Sequence, residues 1–481
     1  MKEAINRIKE LFQQHSDETI TGVDMLPQAG SERHYYRIHT ARHSYIATHG
    51  TNIKENETFI YFSGHFNARH LATPKILFVN DTKDIYIQED LGDVSLLSCL
   101  ESKGYTTEVY KLYKASLKQL ALLQVKGHEG LDYHKCLTNT EFGKQAIMAD
   151  LLYFKYYFLD ALRRPYDKQK LIDDFEALSN YLSHTEYKYF MFRDFQSRNI
   201  MVTNNTEVHF IDYQGGMQGA PQYDVASLLW QAKANLPDEW KQSLLEDYMN
   251  AFEIIIGQPV DRDIFRSQYN GYVLIRLLQV LGAYGFRGLF ERKAHFLTSI
   301  PLALENLKWF FNNQSIGISV PEFKKVLELC ISDEVINEFT PVKATAETPL
   351  LVKINSFSYL KTGYPKDESK NGGGFVFDCR GILNPGRVDE YKVQSGQDKP
   401  VKDFLEQQTK MPEFLNSVYS IVDISVQDYI KRGFESLMVN FGCTGGQHRS
   451  VYAAEALARH LKNKFGVKIE LSHNNKENWV K

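Results

Sequence analysis

A short β-rich segment inside a long helical pattern most limits how this chain can fold. Residues 106–313 are mostly helical in periodicity, but the segment YFMFRDFQSRNIMVTNNTEVHFIDYQGG (189–216) is typical of strand, loop, strand, turn and strand. Asp194, Asn199 and Asp212 each stand beside one of these predicted strands. The segment therefore predicts a helical lobe with a small β insert that carries polar residues in a fixed order.

That order matches the parts needed for phosphoryl transfer. One carboxylate orients an attacking hydroxyl and accepts its proton, while an amide oxygen and a second carboxylate hold Mg²⁺ on the nucleotide phosphates. Asp194 suits the first role, and Asn199 with Asp212 suits the second. Any one of them alone is better explained as a turn residue, but their order favours a site. Asp224, at the entry of an apolar helix, is predicted to fix that helix or the catalytic loop.

The flanking patterns and the composition are those of a cytoplasmic globular protein. HYYRIHT (34–40) and HSYIATH (43–49) predict a hairpin, followed by a helix at about 53–70. The apolar run at 274–286 is too short for a bilayer and predicts a buried helix. Five scattered cysteines without a CxxC pair fit a reducing compartment, and a net charge of −3 gives no sign of general nucleic-acid binding.

Several motifs resemble the aminoglycoside phosphotransferase and choline kinase superfamily, whose fold is protein-kinase-like. They are AGSERHYYRI, QEDLGDVSL, FRDFQSRNIMV, IDYQGGMQGAPQYDVASLL and LQVLGAYGFRG. Within that superfamily they are most similar to anomeric kinases of N-acetylmuramate or N-acetylglucosamine. The resemblance covers about 1–315, with a small lobe at 1–90 and a helical lobe at 91–315. It implies ATP and Mg as cofactors, a sugar as acceptor, Asp194 as catalytic base, and Asn199 with Asp212 as metal ligands.

The same resemblance implies a nucleotide site in the small lobe. Gly30, Ser31 and Arg33 resemble the loop that covers the phosphates, and the backbone from Glu89 to Leu91 resembles the hinge that binds adenine. Thr48 stands where kinases place a phosphate-binding lysine, so Arg33 or Arg37 is a candidate substitute. A pseudokinase that binds nucleotide and acts as a regulatory protein therefore remains an alternative.

The pattern changes at about 349 to strands alternating with helices, which predicts a small α/β domain with parallel strands. Residues 316–348 are interpreted as a linker with one amphipathic helix at Pro321–Cys330, and 400–433 as a long helical stretch. FGCTGGQHRS (441–450) joins a predicted strand to a helix, which favours an anion site at the helix N-terminus. The spacing from Cys443 to Arg449 also occurs in tyrosine phosphatases, so a phosphatase is a third hypothesis.

GGGFVFDCRGILNPGR, SGQDKPV and GCTGGQHRSVYAAEALARHL are similar to the C-terminal domain of the RapZ family of RNase adapter proteins, over 349–481. The resemblance implies an amino-sugar phosphate ligand, glucosamine-6-phosphate in that family, and contacts with protein and RNA partners. Its pocket residues would be Asp378, Arg380, Cys443, Thr444, Gly445, His448 and Arg449. Lys and Arg outnumber Asp and Glu here by 19 to 15, a net charge of +4 that argues against strong RNA binding.

Together these patterns predict a two-lobed kinase of mixed α/β and α+β class, followed by a small α/β domain with a phosphate-binding loop. The predicted function is Mg-ATP-dependent phosphorylation of an amino sugar, with an amino-sugar phosphate bound by the second domain. No membrane partner is expected.

Overall fold

The computed structural model describes residues 2–26, 33–291, 293–370 and 372–480, which form two compact units. The first unit comprises the chain up to Gly282 together with Leu302–Ile331, and the second comprises Ala283–Pro301 together with the chain from Ser332 onward. Gly30 and Ser31 of the predicted phosphate loop lie outside the described residues.

The first unit begins with a five-stranded antiparallel sheet whose strand order is β1-β2-β3-β5-β4. Its elements are α1 (Lys2–His15), β1 (Ile20–Met25), β2 (His34–Thr40), β3 (Ser44–His49), α2 (Ile53–Asn67), β4 (Ile76–Val79) and β5 (Ile85–Glu89). Helix α1 packs Ile8 and Phe12 on Ile38 and Ile87 of the sheet, and all four side chains are fully buried. The predicted hairpin at 34–49 and the helix that follows it are confirmed.

Helices and two small two-stranded sheets make up the rest of the first unit. Its helices are α3 (Leu96–Lys103), α4 (Thr107–His128), α5 (Lys144–Phe154), α6 (Lys168–Ser183), α7 (Gln222–Leu229), α8 (Asp238–Ile256) and α9 (Arg262–Gly285). Helix α10 (Ala294–Leu297) belongs to the second unit. The chain then continues with α11 (Ile300–Asn313) and α12 (Pro321–Cys330). Strands β6 (Tyr189–Met191) and β9 (Met217–Gly219) pair with each other, as do β7 (Ile200–Thr203) and β8 (Glu207–Phe210). The predicted β insert among helices is confirmed.

Helix α12 has the bounds that the sequence predicted, and it packs on α6 within the first unit. The rings of Phe175 and Phe323 lie 5.0 Å apart, and the Asp174 carboxylate accepts a hydrogen bond of 2.8 Å from the amide of Phe323. The segment assigned to a linker therefore contributes a packed helix to this unit.

One helix among the described residues, Arg262–Phe290, is long and apolar enough to cross a membrane by composition. Val273, Ile275 and Leu278 on that helix are buried inside the protein, as the sequence predicted for this run. Burial of this kind is typical of the core helix of a globular unit.

The second unit is built on a parallel sheet in the order β11-β12-β10-β13, which confirms the predicted α/β class. Its strands are β10 (Leu351–Ser358), β11 (Phe375–Asp378), β12 (Ser436–Cys443) and β13 (Lys468–His473). Besides α10, its helices are α13 (Asp333–Phe339), α14 (Lys399–Gln407), α15 (Met411–Arg432) and α16 (Arg449–Phe465).

The helical stretch predicted at 400–433 is confirmed, and it consists of two helices, α14 and α15. Pro412 lies in the first turn of α15, where its fixed φ and missing N–H are tolerated. A proline at that place cannot continue a preceding helix, so the chain breaks between Gln407 and Met411.

Candidate active site and phosphate loop

The loop after β6 carries Asp194 at the centre of a set of donors. Its Oδ1 accepts a hydrogen bond from the Gln196 side chain and one of 3.3 Å from Nη2 of Arg276, and its Oδ2 lies 3.5 Å from Nη2 of Arg198. The Asp194 side chain is 38% exposed, so a substrate hydroxyl can reach it. Arg276 comes from α9 and is itself anchored by Gln279 at 2.5 Å.

Asn199 and Asp212 lie at the same end of the β7–β8 hairpin. Ile200 pairs with Phe210, and beyond that pair the amide of Ile211 donates to the carbonyl of Asn199 at 3.0 Å. Asn199 donates through Nδ2 to the Asp194 carbonyl at 3.0 Å, which leaves its Oδ1 as an acceptor. The hairpin therefore brings the three predicted residues into one site.

Asp212 adopts a left-handed backbone conformation, with φ of 70°. Aspartate and asparagine tolerate this region better than most residues. The Asp212 Oδ1 accepts hydrogen bonds from Arg33 at 2.8 Å and from Gln214 at 3.0 Å. A carboxylate beside an amide oxygen is a donor set that suits Mg²⁺ when nucleotide phosphates complete the shell. The described residues contain no group of three His, Cys, Asp or Glu side chains that could hold a metal without such help.

Asp224 is fully buried under the loop that carries Asp194. Its carboxylate accepts hydrogen bonds from the backbone amides of Phe192 at 2.8 Å and Arg193 at 3.0 Å, and from the Gln124 side chain at 3.0 Å. Burial raises the pKa of Asp224 to about 7, although these donors work in the opposite direction. Of the two roles that the sequence predicted for Asp224, fixing a helix or fixing this loop, its contacts show the second.

Arg33 is the cation that reaches the candidate metal site. Its side chain is 3% exposed, and it contacts Glu55 through Nε at 3.3 Å and Asp212 through Nη2 at 2.8 Å. Arg37, the other candidate, instead binds Asp90 at 2.7 Å, where β5 ends. Of the two candidate arginines, Arg33 is therefore the one placed beside Asp212.

The predicted hinge lies where β5 leaves the sheet. The amide of Glu89 donates to the carbonyl of Lys75 at 3.0 Å, and the carboxylate of Glu89 accepts from the amide of Lys75 at 3.1 Å. Leu91 follows in the partly exposed segment between β5 and α3. The Asp90 carboxylate accepts from the amide of Gly92 at 2.9 Å and so shapes the turn beside Leu91.

In the second unit the loop of residues 443–449 joins β12 to α16, as the sequence predicted. The Cys443 thiol is 3% exposed, accepts a hydrogen bond of 3.2 Å from the amide of Gly446, and lies 3.1 Å from the Ser450 hydroxyl. Thr444 and Gly445 are exposed at the tip of the loop. The exposed part of the loop is therefore Thr444 and Gly445, whereas the Cys443 thiol is buried.

Arg449 and His448 point into the unit. Arg449 is 4% exposed, and its Nη1 donates to the carbonyls of Arg380 at 2.9 Å and Ile382 at 2.7 Å. His448 lies 2.9 Å from the carbonyl of Tyr391 through Nε2, and burial lowers its pKa. Both side chains thus tie neighbouring turns to the loop.

Asp378 and Arg380 form a second polar pair beside the same loop. Asp378 ends β11 and pairs in the sheet with Gly442, the residue before Cys443 on β12. Arg380 binds the Asp378 carboxylate through Nε at 2.9 Å and Nη2 at 2.7 Å, and its guanidinium lies 4.1 Å from the Tyr359 ring centre. The hydrogen bonds from Arg380 lower the pKa of Asp378.

Several contact residues were missed by sequence reasoning. Glu55 and Asp150 are partners of Arg33 and Arg193, and Tyr359 and Ser450 flank the loop in the second unit. Only Glu55 had a usable signal, because it opens the first helix after β3, where kinases carry a glutamate.

Family models match both units. The model of the phosphotransferase enzyme family matches residues 26–262, which lie in the first unit. The model of the RapZ C-terminal domain matches residues 350–477, which lie in the second. The chain therefore contains a phosphotransferase-family domain followed by a RapZ C-terminal domain.

Among curated relatives, a nucleotide-binding protein of Fervidobacterium nodosum is 31% identical over 203 residues, which is 39% of this chain and 67% of the relative. A nucleotide-binding protein of Clostridium botulinum is 36% identical over 140 residues, which is 29% of this chain and 45% of the relative. The chain thus spans about two thirds of the first relative and less than half of the second.

Solved structures with similar folds include the choline kinase LicA of Streptococcus pneumoniae, at 13% identity and a TM-score of 0.40. The match covers 64% of this chain and 99% of that one. A choline/ethanolamine kinase family protein of Mesorhizobium loti matches at 13% identity and a TM-score of 0.45, over 69% of this chain and 98% of that one.

Proposed function

We propose that the first unit transfers the γ-phosphoryl group of ATP to a hydroxyl of an amino sugar. The observation that carries this proposal is the grouping of Asp194, Asn199 and Asp212 at one end of the β7–β8 hairpin. In the reaction the substrate oxygen bonds to the γ-phosphorus, the bond from that phosphorus to ADP breaks, and Asp194 takes the hydroxyl proton.

Asn199 and Asp212 would hold Mg²⁺, which neutralises charge on the phosphates when bound. Asp224 keeps the loop of Asp194 in place through the amides of Phe192 and Arg193. Arg276, buried beside Asp194, limits the directions from which an acceptor hydroxyl can approach. These contacts orient the reacting groups, which is the main task of the protein in phosphoryl transfer.

The test is an incubation of the full chain with Mg-ATP and N-acetylmuramate, N-acetylglucosamine, glucosamine or an aminoglycoside. Phosphorus NMR and mass analysis identify the product, and Asp194→Asn serves as the inactive variant. Transfer to an amino sugar that is lost in Asp194→Asn supports the proposal. Transfer only to the aminoglycoside, or to none, contradicts it.

A nucleotide-binding regulatory protein is the second candidate, favoured by Thr48 at the position of the usual lysine. For this candidate the wild type and Asp194→Asn bind ATP equally well, and neither transfers phosphate to any acceptor. ATP binding without phosphate transfer to any acceptor would therefore support the regulatory role.

For the second unit we propose an amino-sugar phosphate as ligand of the exposed tip formed by Thr444 and Gly445, with Arg380 beside it. The support is the sheet pairing that sets Asp378 next to this loop, together with the start of α16 at Arg449. Calorimetric titration with glucosamine-6-phosphate tests it, with Arg380→Ala expected to weaken binding and Lys410→Ala, an exposed control, expected to leave it unchanged. Equal binding by both variants, or none by the wild type, contradicts the assignment.

The phosphatase hypothesis has a direct assay in the same unit. Cys443 would act as nucleophile, so Cys443→Ser would abolish release of inorganic phosphate while sparing ligand binding. The thiol lies beneath the loop at 3% exposure, and Arg449 donates to two backbone carbonyls. These contacts favour the binding role over the catalytic one.

A further inference from the structure

Strand β3 lacks the cation that kinases use to hold nucleotide phosphates. Thr48 occupies that place, is fully buried, and pairs with Tyr35 on one side and Tyr86 on the other. A nucleotide triphosphate carries several negative charges, which a kinase site must neutralise. The cation has to come from another element of the first unit.

Arg33, directly before β2, has the contacts that such a cation needs. It bridges Glu55 in the first turn of α2 and Asp212 after β8, at 3.3 Å and 2.8 Å. A guanidinium is protonated at every pH at which proteins are ordinarily studied. Arg33 therefore stays charged inside the site.

We propose that Arg33 and Glu55 replace the lysine and glutamate pair of other kinases, with Arg33 binding the nucleotide phosphates and Glu55 positioning it. This inference rests on the proposed nucleotide site. In kinases the lysine of the third strand is held by a glutamate of the following helix. Here the same helix supplies Glu55, while the cation comes from the residue directly before the neighbouring strand β2. A guanidinium is well suited to the task because its planar donors match phosphate oxygens.

When nucleotide and metal bind, the ion pair between Arg33 and Asp212 would be replaced by a contact of Arg33 with the phosphates and of Asp212 with the metal. Two carboxylates, Glu55 and Asp212, share one guanidinium, so the group has one negative charge in excess. A divalent cation held by Asp212 would supply the positive charge that this carboxylate needs. Nη2 of Arg33 would then be available to the phosphates, while Nε stays with Glu55.

The decisive measurement is the affinity of the full chain for ATP and for AMP, with and without Mg²⁺, by calorimetric titration. Arg33→Met is expected to weaken ATP binding about 10- to 100-fold, the range for hydrogen bonds to charged groups, and AMP binding by less than about 3-fold. Glu55→Gln should weaken ATP binding less and in the same direction, because Arg33 keeps its charge but loses its anchor. Arg42→Met, on the exposed turn between β2 and β3, is the matched control.

A rescue variant separates phosphate binding from a structural role of Arg33. Thr48→Lys in the Arg33→Met background returns a cation to β3 and is expected to recover at least part of the ATP affinity. If the ratio of ATP affinity to AMP affinity is the same in the wild type and in Arg33→Met, the inference is overturned, but the proposed kinase function is not affected. An absence of ATP binding by the wild type overturns both. If Arg33→Met fails to fold, Glu55→Gln with an unchanged ratio overturns the inference.

Discussion

The amide of Ile211 donates to the carbonyl of Asn199 at 3.0 Å, one step beyond the last pair of the β7–β8 hairpin. This bond holds the backbone at Asn199 against the residue that precedes Asp212. Two residues separated by thirteen positions are thereby held by backbone geometry, before any ligand is present.

Asp212→Asn is predicted to raise the Mg²⁺ concentration needed for half-maximal ATP binding by about tenfold or more, because an amide is a weaker ligand of Mg²⁺ than a carboxylate. ATP titrations at a series of Mg²⁺ concentrations measure this value. Asp194→Asn, which removes the proposed base, should keep the wild-type Mg²⁺ requirement. A larger shift in Asp194→Asn than in Asp212→Asn would reverse the two assignments.

Asp224 links stability to pH. Its pKa is about 7 in the folded protein and 3.8 ordinarily, so the folded chain holds a proton that the unfolded chain releases. The free energy of unfolding should therefore fall as pH rises from about 4 to about 7, by at least about 1 kcal/mol from this group. Asp224→Asn should flatten that dependence in urea unfolding, whereas Asp263→Asn, almost fully exposed, should not. An unchanged slope in Asp224→Asn would show that Asp224 is ionised throughout.

Arg449, in the loop of residues 443–449, and Arg380, beside that loop, should differ in their effects on the stability of the second unit. Arg449→Met leaves the carbonyls of Arg380 and Ile382 without a donor, and should lower the free energy of unfolding of the second unit by about 2 to 4 kcal/mol. Arg380→Ala removes a half-exposed ion pair and should lower it by less than about 1 kcal/mol. Urea unfolding followed by circular dichroism measures both, and similar losses would contradict the distinction.

Two neighbouring glycines offer a similar contrast. Gly446 has φ of 60°, and a Cβ there would lie 2.9 Å from Asn475 and 3.0 Å from Ser358, so Gly446→Ala should destabilise by about 1 to 3 kcal/mol. A Cβ at Gly445 would meet nothing within 4 Å. Gly445→Ala should therefore fold normally but weaken binding of an amino-sugar phosphate at the loop. Normal binding by Gly445→Ala would remove the loop tip from the ligand site.

The sequence was informative where a pattern is local. The amphipathic repeat and the leading proline of α12 predicted its bounds, and the alternating pattern predicted the hairpin of β2 and β3. The break before α15 was missed, because helical periodicity on both sides of Pro412 hid one residue that cannot continue a helix.

Contacts between residues that are far apart along the chain could not be predicted from the sequence. Arg33 meets Asp212 across 179 positions, and nothing local to either residue distinguishes that pairing from the one between Arg37 and Asp90. The direction of the Arg449 side chain likewise depends on where the turn after β11 lies. The residue types in both candidate sites were predictable, but their partners required the packed structure.

The strand order of the second unit has a consequence for how that unit forms. Strand β10 lies between β12 and β13, and both neighbours come much later in the chain, with Asn355 pairing Asn440 on one side and Ser472 on the other. During synthesis β10 therefore emerges with two unpaired edges, and the sheet cannot close until β13 has been made. Long-range parallel pairing of this kind folds slowly and exposes strand edges to aggregation. In the first unit, by contrast, β1, β2 and β3 pair with their neighbours in the chain.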